Sequence, residues 1–245
     1  MQRAVNVLKL ACLCWLGGAV APVAVAAPVE TVLKDSEGKD AFLYTPSAEP
    51  EQGKTYWLAV GVHGANGKGK GAGGIAGWAE DKDVIVLGPS FENGYQAGDG
   101  VHEATLKALV AEVGKTWKLH PKFFLHGFSG GAQFAHRFAF RNPTLLIGVS
   151  AHSAGSWNAV DPKNAAAKKL PFVISCGEKD TGLSTKESPM GRFEWFNKFA
   201  DEMKAAKYDV AAKTWPGVGH SQGKEVRAMS KELFDKVRAE PAAKK

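Results

Sequence analysis

The chain has 245 residues, 44% hydrophobic, 23% charged and 10% aromatic, with a formal net charge of +6. That composition excludes a disordered chain, the 28 glycines follow no collagen period, and three cysteines are too few for a disulfide scaffold. So mild a positive balance, with no aromatic residues between its lysine clusters (Lys68 and Lys70; Lys163, Lys168 and Lys169), excludes a nucleic-acid surface.

The first element in chain order is a leader. Arg3 and Lys9 give a short basic start, Leu10 to Val20 is apolar, and Ala24-Val25-Ala26 offers the small-x-small pattern that a signal peptidase reads. Residues 1–26 are therefore expected to be a signal peptide, with the protein secreted or periplasmic and no longer membrane-bound once it is removed. Residues 27–245 are expected to form one domain, compact from about 30 to 238. Cys12 and Cys14 leave with the leader, so Cys176 remains alone and no intramolecular disulfide is possible.

After the leader, residues 30–46 read as two strands around the turn Asp35-Ser36-Glu37-Gly38-Lys39, an antiparallel edge hairpin. Short apolar runs then alternate with helical periods. The strands are Trp57–Val62, Val84–Leu87, Phe123–His126, Leu146–Ser150, Phe172–Cys176 and Tyr208–Trp215. The helices are 102–117, 130–141, 190–206 and 223–238, the last with a stripe of Val226, Met229, Leu233 and Val237. Such alternation predicts an α/β architecture, a mainly parallel sheet with helices on both faces.

Three loops, each just beyond a strand, carry the candidate chemistry. Gly127-Phe128-Ser129-Gly130-Gly131 fits G-x-S-x-G between a strand and a helix, the context of a nucleophile elbow. The turn is sharp, and glycines two before and two after the serine avoid a collision of side chains. A serine hydroxyl needs a base, and the base needs an acid to orient it. Asp180 follows the strand 172–176, with Glu178 a competitor beside it. His220 follows the strand ending at Trp215, in the Gly-rich run Pro216-Gly217-Val218-Gly219-His220. His63-Gly64-Ala65 follows an early strand, so Ala65 N–H and Gly130 N–H are the candidate oxyanion donors. Residues 64–71 nearly spell a phosphate loop and 69–74 match G-x-G-x-x-G. The first lacks its Ser or Thr and the second follows no strand directly, so a flexible Gly-rich loop is the reading. No metal-ligand spacing stands out, and no cofactor is expected.

On His63-Gly64-Ala65, Leu125 to Gly131, Gly177-Glu178-Lys179-Asp180 and Gly219-His220, the chain resembles a secreted α/β-hydrolase of the polyhydroxybutyrate-depolymerase and feruloyl-esterase-like group. The resemblance covers roughly residues 30–238. It implies the α/β-hydrolase fold and a carboxylic-ester hydrolase, with Ser129 as nucleophile, His220 as base and Asp180 as its orienting acid. The partner it implies is a small or oligomeric ester. Extracellular depolymerases of this kind often carry a linker, a polymer-binding domain and disulfides. This chain has room for neither added segment and keeps one thiol, so short-chain, aryl or hydroxyalkanoate oligomer esters are expected rather than crystalline polymer. Phe128, Trp157 and Tyr95 are candidate substrate contacts, the last within a loop Pro89–Gly100 that also holds Phe91. Two other readings use the same residues. A peptidase of this fold would need a pocket, such as an acidic pair, to fix a peptide amino terminus, and no such pair is evident in this sequence. A binding module that kept only the fold would have little reason to retain all three residue types.

Overall fold

A computed structural model describes residues 27–92, 94–97, 100–186 and 188–239. The expected leader, 1–26, lies outside them. The strands are β1 (Val29–Lys34), β2 (Asp40–Thr45), β3 (Trp57–Val62), β4 (Val84–Pro89), β5 (Phe123–Phe128), β6 (Leu146–His152), β7 (Phe172–Gly177) and β8 (Val210–Trp215). The α-helices are α1 (Val101–Thr116), α2 (Gly130–Arg141), the single turn α3 (Ala165–Lys168), α4 (Arg192–Ala205) and α5 (Lys224–Ala239).

One sheet holds all eight strands in the order β1-β2-β4-β3-β5-β6-β7-β8. β1 pairs antiparallel with β2 and β2 antiparallel with β4, while every later pairing is parallel. The mainly parallel sheet follows the order of the elements, and the arrangement is the α/β-hydrolase one that the resemblance implies, with the hairpin at the edge. In that hairpin the Asp35 carboxylate accepts the backbone N–H of Glu37 and of Lys39, which sets the turn.

Each central strand sends alternate side chains to opposite layers. Leu58, Val60 and Val62 of β3 join the cluster built with α1, α2 and α4, while Ala59 joins the one built with α5 and Trp78. Leu125 and Phe124 of β5 divide in the same way. Both faces are covered, as a parallel sheet requires.

The α5 stripe holds at Val226 and Val237, but its middle shifts by one position. Val226, Ser230, Phe234 and Val237 are buried, whereas Met229 and Leu233 are half-buried. Ser230 goes inward because its hydroxyl meets His152 Nε2 at 2.8 Å and the Val226 carbonyl at 3.0 Å. Hydropathy ranks a serine as surface, but its two partners are supplied by the fold. The Gly-rich loop also has a packing reason. A Cβ on Gly69 would lie 2.0 Å from the Gly88 carbonyl oxygen, so the loop crosses the end of β4 backbone to backbone.

Three histidines are fully buried. His126 Nδ1 meets Ser150 Oγ at 2.7 Å, and His152 Nδ1 meets Ser175 Oγ at 2.7 Å. His136 uses Nδ1 on the Ala132 carbonyl and Nε2 on Asn158 N–H. Burial pushes His126 down to about 4, His136 down to about 3, and His152 well below its ordinary value. Because the folded values lie below that of an unfolded histidine, the unfolded chain takes up protons first. Stability is complete above about pH 6.5 and falls as pH drops toward the folded values. At pH 5 His126 and His136 together should cost about 4 kcal/mol relative to pH 7, with His152 adding to it. Urea melts at the two pH values test this, and an unchanged midpoint would refute it.

Candidate active site

The turn from β5 into α2 holds Ser129 at φ 56° and ψ −119°, a sparsely populated conformation for a residue with a side chain. Two glycines make it possible, for different reasons. A Cβ on Gly127 would lie 2.1 Å from the Gly131 carbonyl oxygen, whereas a Cβ on Gly131 would lie 2.2 Å from the Val62 carbonyl oxygen of β3. The first is the clash across the turn that the motif implies. The second is with the neighbouring strand, which the motif alone does not reveal.

The structure brings Ser129, His220 and Asp180 together from three loops. His220 Nε2 lies 2.9 Å from Ser129 Oγ, and His220 Nδ1 lies 2.8 Å from Asp180 Oδ2. Asp180 is 2% exposed, while the imidazole stays accessible from the site side. An ionised carboxylate only accepts, so Nδ1 carries the proton and Nε2 offers its lone pair to the hydroxyl. Arg192 Nη1 stands 3.7 Å from Asp180 Oδ1. Cys176, beside the same carboxylate at 3.8 Å, has its thiol pushed up to about 12 by burial and stays protonated. Glu178, the competing acid, is exposed and instead accepts from Thr214 Oγ1 at 3.2 Å.

Gly130 opens α2, so the positive end of that helix faces the serine. Ala65 lies alongside, its nitrogen 3.0 Å from where a Gly130 Cβ would stand. The 63–65 loop is braced from behind. His63 Nδ1 meets the Gly64 carbonyl at 2.6 Å, and Nε2 accepts Phe91 N–H at 3.0 Å. The Tyr95 hydroxyl donates to the His63 carbonyl. Burial lowers His63 and keeps it neutral, which this pair of contacts requires.

The dienelactone hydrolase family profile matches residues 92–244, more than half of the chain. The chain belongs to the dienelactone hydrolase family. It is a hydrolase, and ester hydrolysis is the reaction supported by this family together with esterase neighbours. Among curated proteins none matches significantly. Solved structures show the same fold. LpqC, a poly(3-hydroxybutyrate) depolymerase from Bordetella parapertussis, is 18% identical with a TM-score of 0.65, over 89% of this chain and 93% of that one. Poly(aspartic acid) hydrolase-1 from Sphingomonas sp. KT-1 is 21% identical with a TM-score of 0.62, over 86% and 98%. A thermostable esterase is 14% identical with a TM-score of 0.64, over 87% of this chain and 63% of that one, so this chain spans under two thirds of its length.

In this family member a cavity of about 470 Å³ opens beside Ser129. Its walls mix small residues such as Ala65, Ala97 and Gly155 with the polar side chains of Gln133, Arg137 and Arg192. Two of the three aromatic residues expected to touch substrate lie away from this cavity, and the third stands beside His220. Trp157 is stacked on Phe199 at 4.4 Å and is buried in the core between α2 and α4. Tyr95 is fully buried as the brace just described. Phe128 packs against the His220 ring at 4.9 Å and supports it from the side. Trp157 and Tyr95 pack inside because aromatic residues fill cores as readily as pockets. Gln133 and Arg137 line the cavity instead, four and eight residues past Ser129 on one helix face.

The two acids separate by mutation. Asp180→Asn should lower kcat for an ester about 10³–10⁴-fold through the wrong imidazole tautomer, while Glu178→Gln should leave it near wild type. Steady-state kinetics of both variants checks this, and the reverse pattern would assign the acid to Glu178.

Proposed function

We propose that the protein is an exported serine esterase, and the Ser129–His220 distance of 2.9 Å carries the reading. Ser129 Oγ attacks the ester carbonyl carbon while His220 Nε2 takes its proton. Asp180 holds the imidazole and stabilises its charged form. The N–H groups of Gly130 and Ala65 hold the oxyanion, each worth about 3 kcal/mol in such sites. His220 then gives the proton to the departing alkoxide, leaving an acyl-serine. Water, deprotonated by the same imidazole, releases the acid and restores Ser129. Export follows from the leader, with cleavage after Ala26.

Among the expected esters, the cavity favours a hydroxyalkanoate oligomer, which ends in a free carboxylate. Arg137 reaches this cavity already bound to neutral acceptors only: Asn158 Oδ1 at 2.8 Å, Ser156 Oγ at 3.0 Å and the Gln96 carbonyl. Among the described residues no carboxylate pairs with it. Burial, with Arg141 nearby, pushes it down to about 10. A buried guanidinium without an acid is costly, and a substrate carboxylate would relieve that cost. The likeness to LpqC, itself a poly(3-hydroxybutyrate) depolymerase, supports the same class.

Nitrophenyl esters should be hydrolysed and Ser129→Ala should abolish turnover; activity that survives the change refutes the assignment. Arg137→Met should raise KM for carboxylate-ended oligomers about 10–100-fold, the worth of a charged hydrogen bond, and leave KM for nitrophenyl acetate within about twofold. Equal changes for both substrates would remove the carboxylate reading.

A further inference from the structure

His220 sits in a loop with little backbone support of its own. The loop from Pro216 to Gly223 contains Gly217, Gly219 and Gly223. Its first half is tied by Lys179 N–H to the Val218 carbonyl at 2.8 Å and by Val218 N–H to the Trp215 carbonyl at 3.2 Å. From Gly219 to Gln222 no backbone–backbone hydrogen bond to a described residue is present. Side chains must hold that half in place, and glycines on either side raise the conformational entropy to be overcome.

Gln222 provides the hold. Its carbonyl accepts Arg227 Nη1 at 2.7 Å, and its side-chain amide reaches His126 Nε2 at 2.5 Å. His126 is wholly buried on β5, three residues before Ser129. Its other nitrogen is engaged by Ser150 Oγ on β6. The ring is thus fixed from both sides within the strand that carries the nucleophile. The proposed reaction makes no use of His126 as an acid or base, and it is sealed from the cavity.

We infer that His126 is a positioning residue: by holding Gln222 it fixes His220, two residues earlier in the loop, at hydrogen-bond distance from Ser129 Oγ. The strand that presents the nucleophile thereby also sets the distance of the base. Burial lowers His126 and keeps it neutral, so Nε2 accepts the Gln222 amide proton while Nδ1–H donates to Ser150. This inference rests on the proposed roles of Ser129 and His220.

The test compares Gln222→Met, Gln222→Glu, His126→Phe and Ser129→Ala with wild type on a nitrophenyl ester. A misplacement of about 1 Å can cost on the order of a hundredfold in rate. Gln222→Met should therefore lower kcat about tenfold or more with KM within about twofold, while the melting temperature hardly moves. The low-field proton signal of the His220–Asp180 hydrogen bond should weaken with it. Gln222→Glu keeps the shape but puts an acceptor where His126 Nε2 accepts an amide proton, so it should lower kcat as Gln222→Met does. His126→Phe should match Gln222→Met, and the double variant should lose no more than either alone, because the two act as one unit. Wild-type kcat in Gln222→Met, or a fall in melting temperature alone, would overturn the inference whether or not His126→Phe folds. Turnover surviving in Ser129→Ala would instead overturn the proposed reaction, so the two failures are distinct.

Discussion

The close approach of three backbone segments at the start of α2 is the constraint on which the site depends. β5 turns into α2 with its glycines pressed against one another and against the Val62 carbonyl of β3. Any larger residue would push the helix off the sheet. The contact forces Ser129 into a strained conformation whose cost is of order 1–3 kcal/mol. The packing behind it holds that strain: Ala132, Phe134, Ala135, Phe138 and Ala139 of α2 are all fully buried. Strain at one residue is stable here because a whole helix face would have to be exposed to relieve it.

That contact also decides where everything else can stand. With the serine lifted above the carboxyl ends of parallel strands, partners can reach it only from loops that leave neighbouring strands at the same end. The loop after β3 brings Ala65, the loop after β7 brings Asp180, and the loop after β8 brings His220. None is close to Ser129 in sequence. Parallel pairing makes them neighbours by pointing every β-to-α connection the same way.

Beneath this layer lies a polar interior in a sheet otherwise built from aliphatic and aromatic side chains. His126, His152, Ser150, Ser175 and Ser230 satisfy one another between β5, β6, β7 and α5. Each buried imidazole is neutral and bonded through its ring nitrogens, which makes it rigid rather than reactive. The cavity above also carries polar side chains, with Arg137 at its wall where an aromatic lining was expected. The exposed chemistry and the hidden scaffold therefore draw on the same residue types, and only burial tells them apart.

By itself the sequence determined the alternation of strands and helices, the edge hairpin, the elbow and the chain order of Ser129, Asp180 and His220. These are local patterns: a period of two or of 3.6 residues, a glycine spacing, or a residue type just past a strand end. Tertiary structure alone decided which carboxylate faces His220, because Asp180 and Glu178 are two residues apart and differ only in where the turn after β7 points them. It decided that Gly131 yields to β3 rather than to Gly127, and that Ser230 and not Leu233 lies beneath the sheet. It sent Trp157 and Tyr95 into the interior and left Arg137 at the cavity. Each of these depends on contacts between residues distant in the chain, which no local pattern records. The hydrogen bond between His126 and Gln222 spans 96 positions and comes into being only when β5 and the loop after β8 meet.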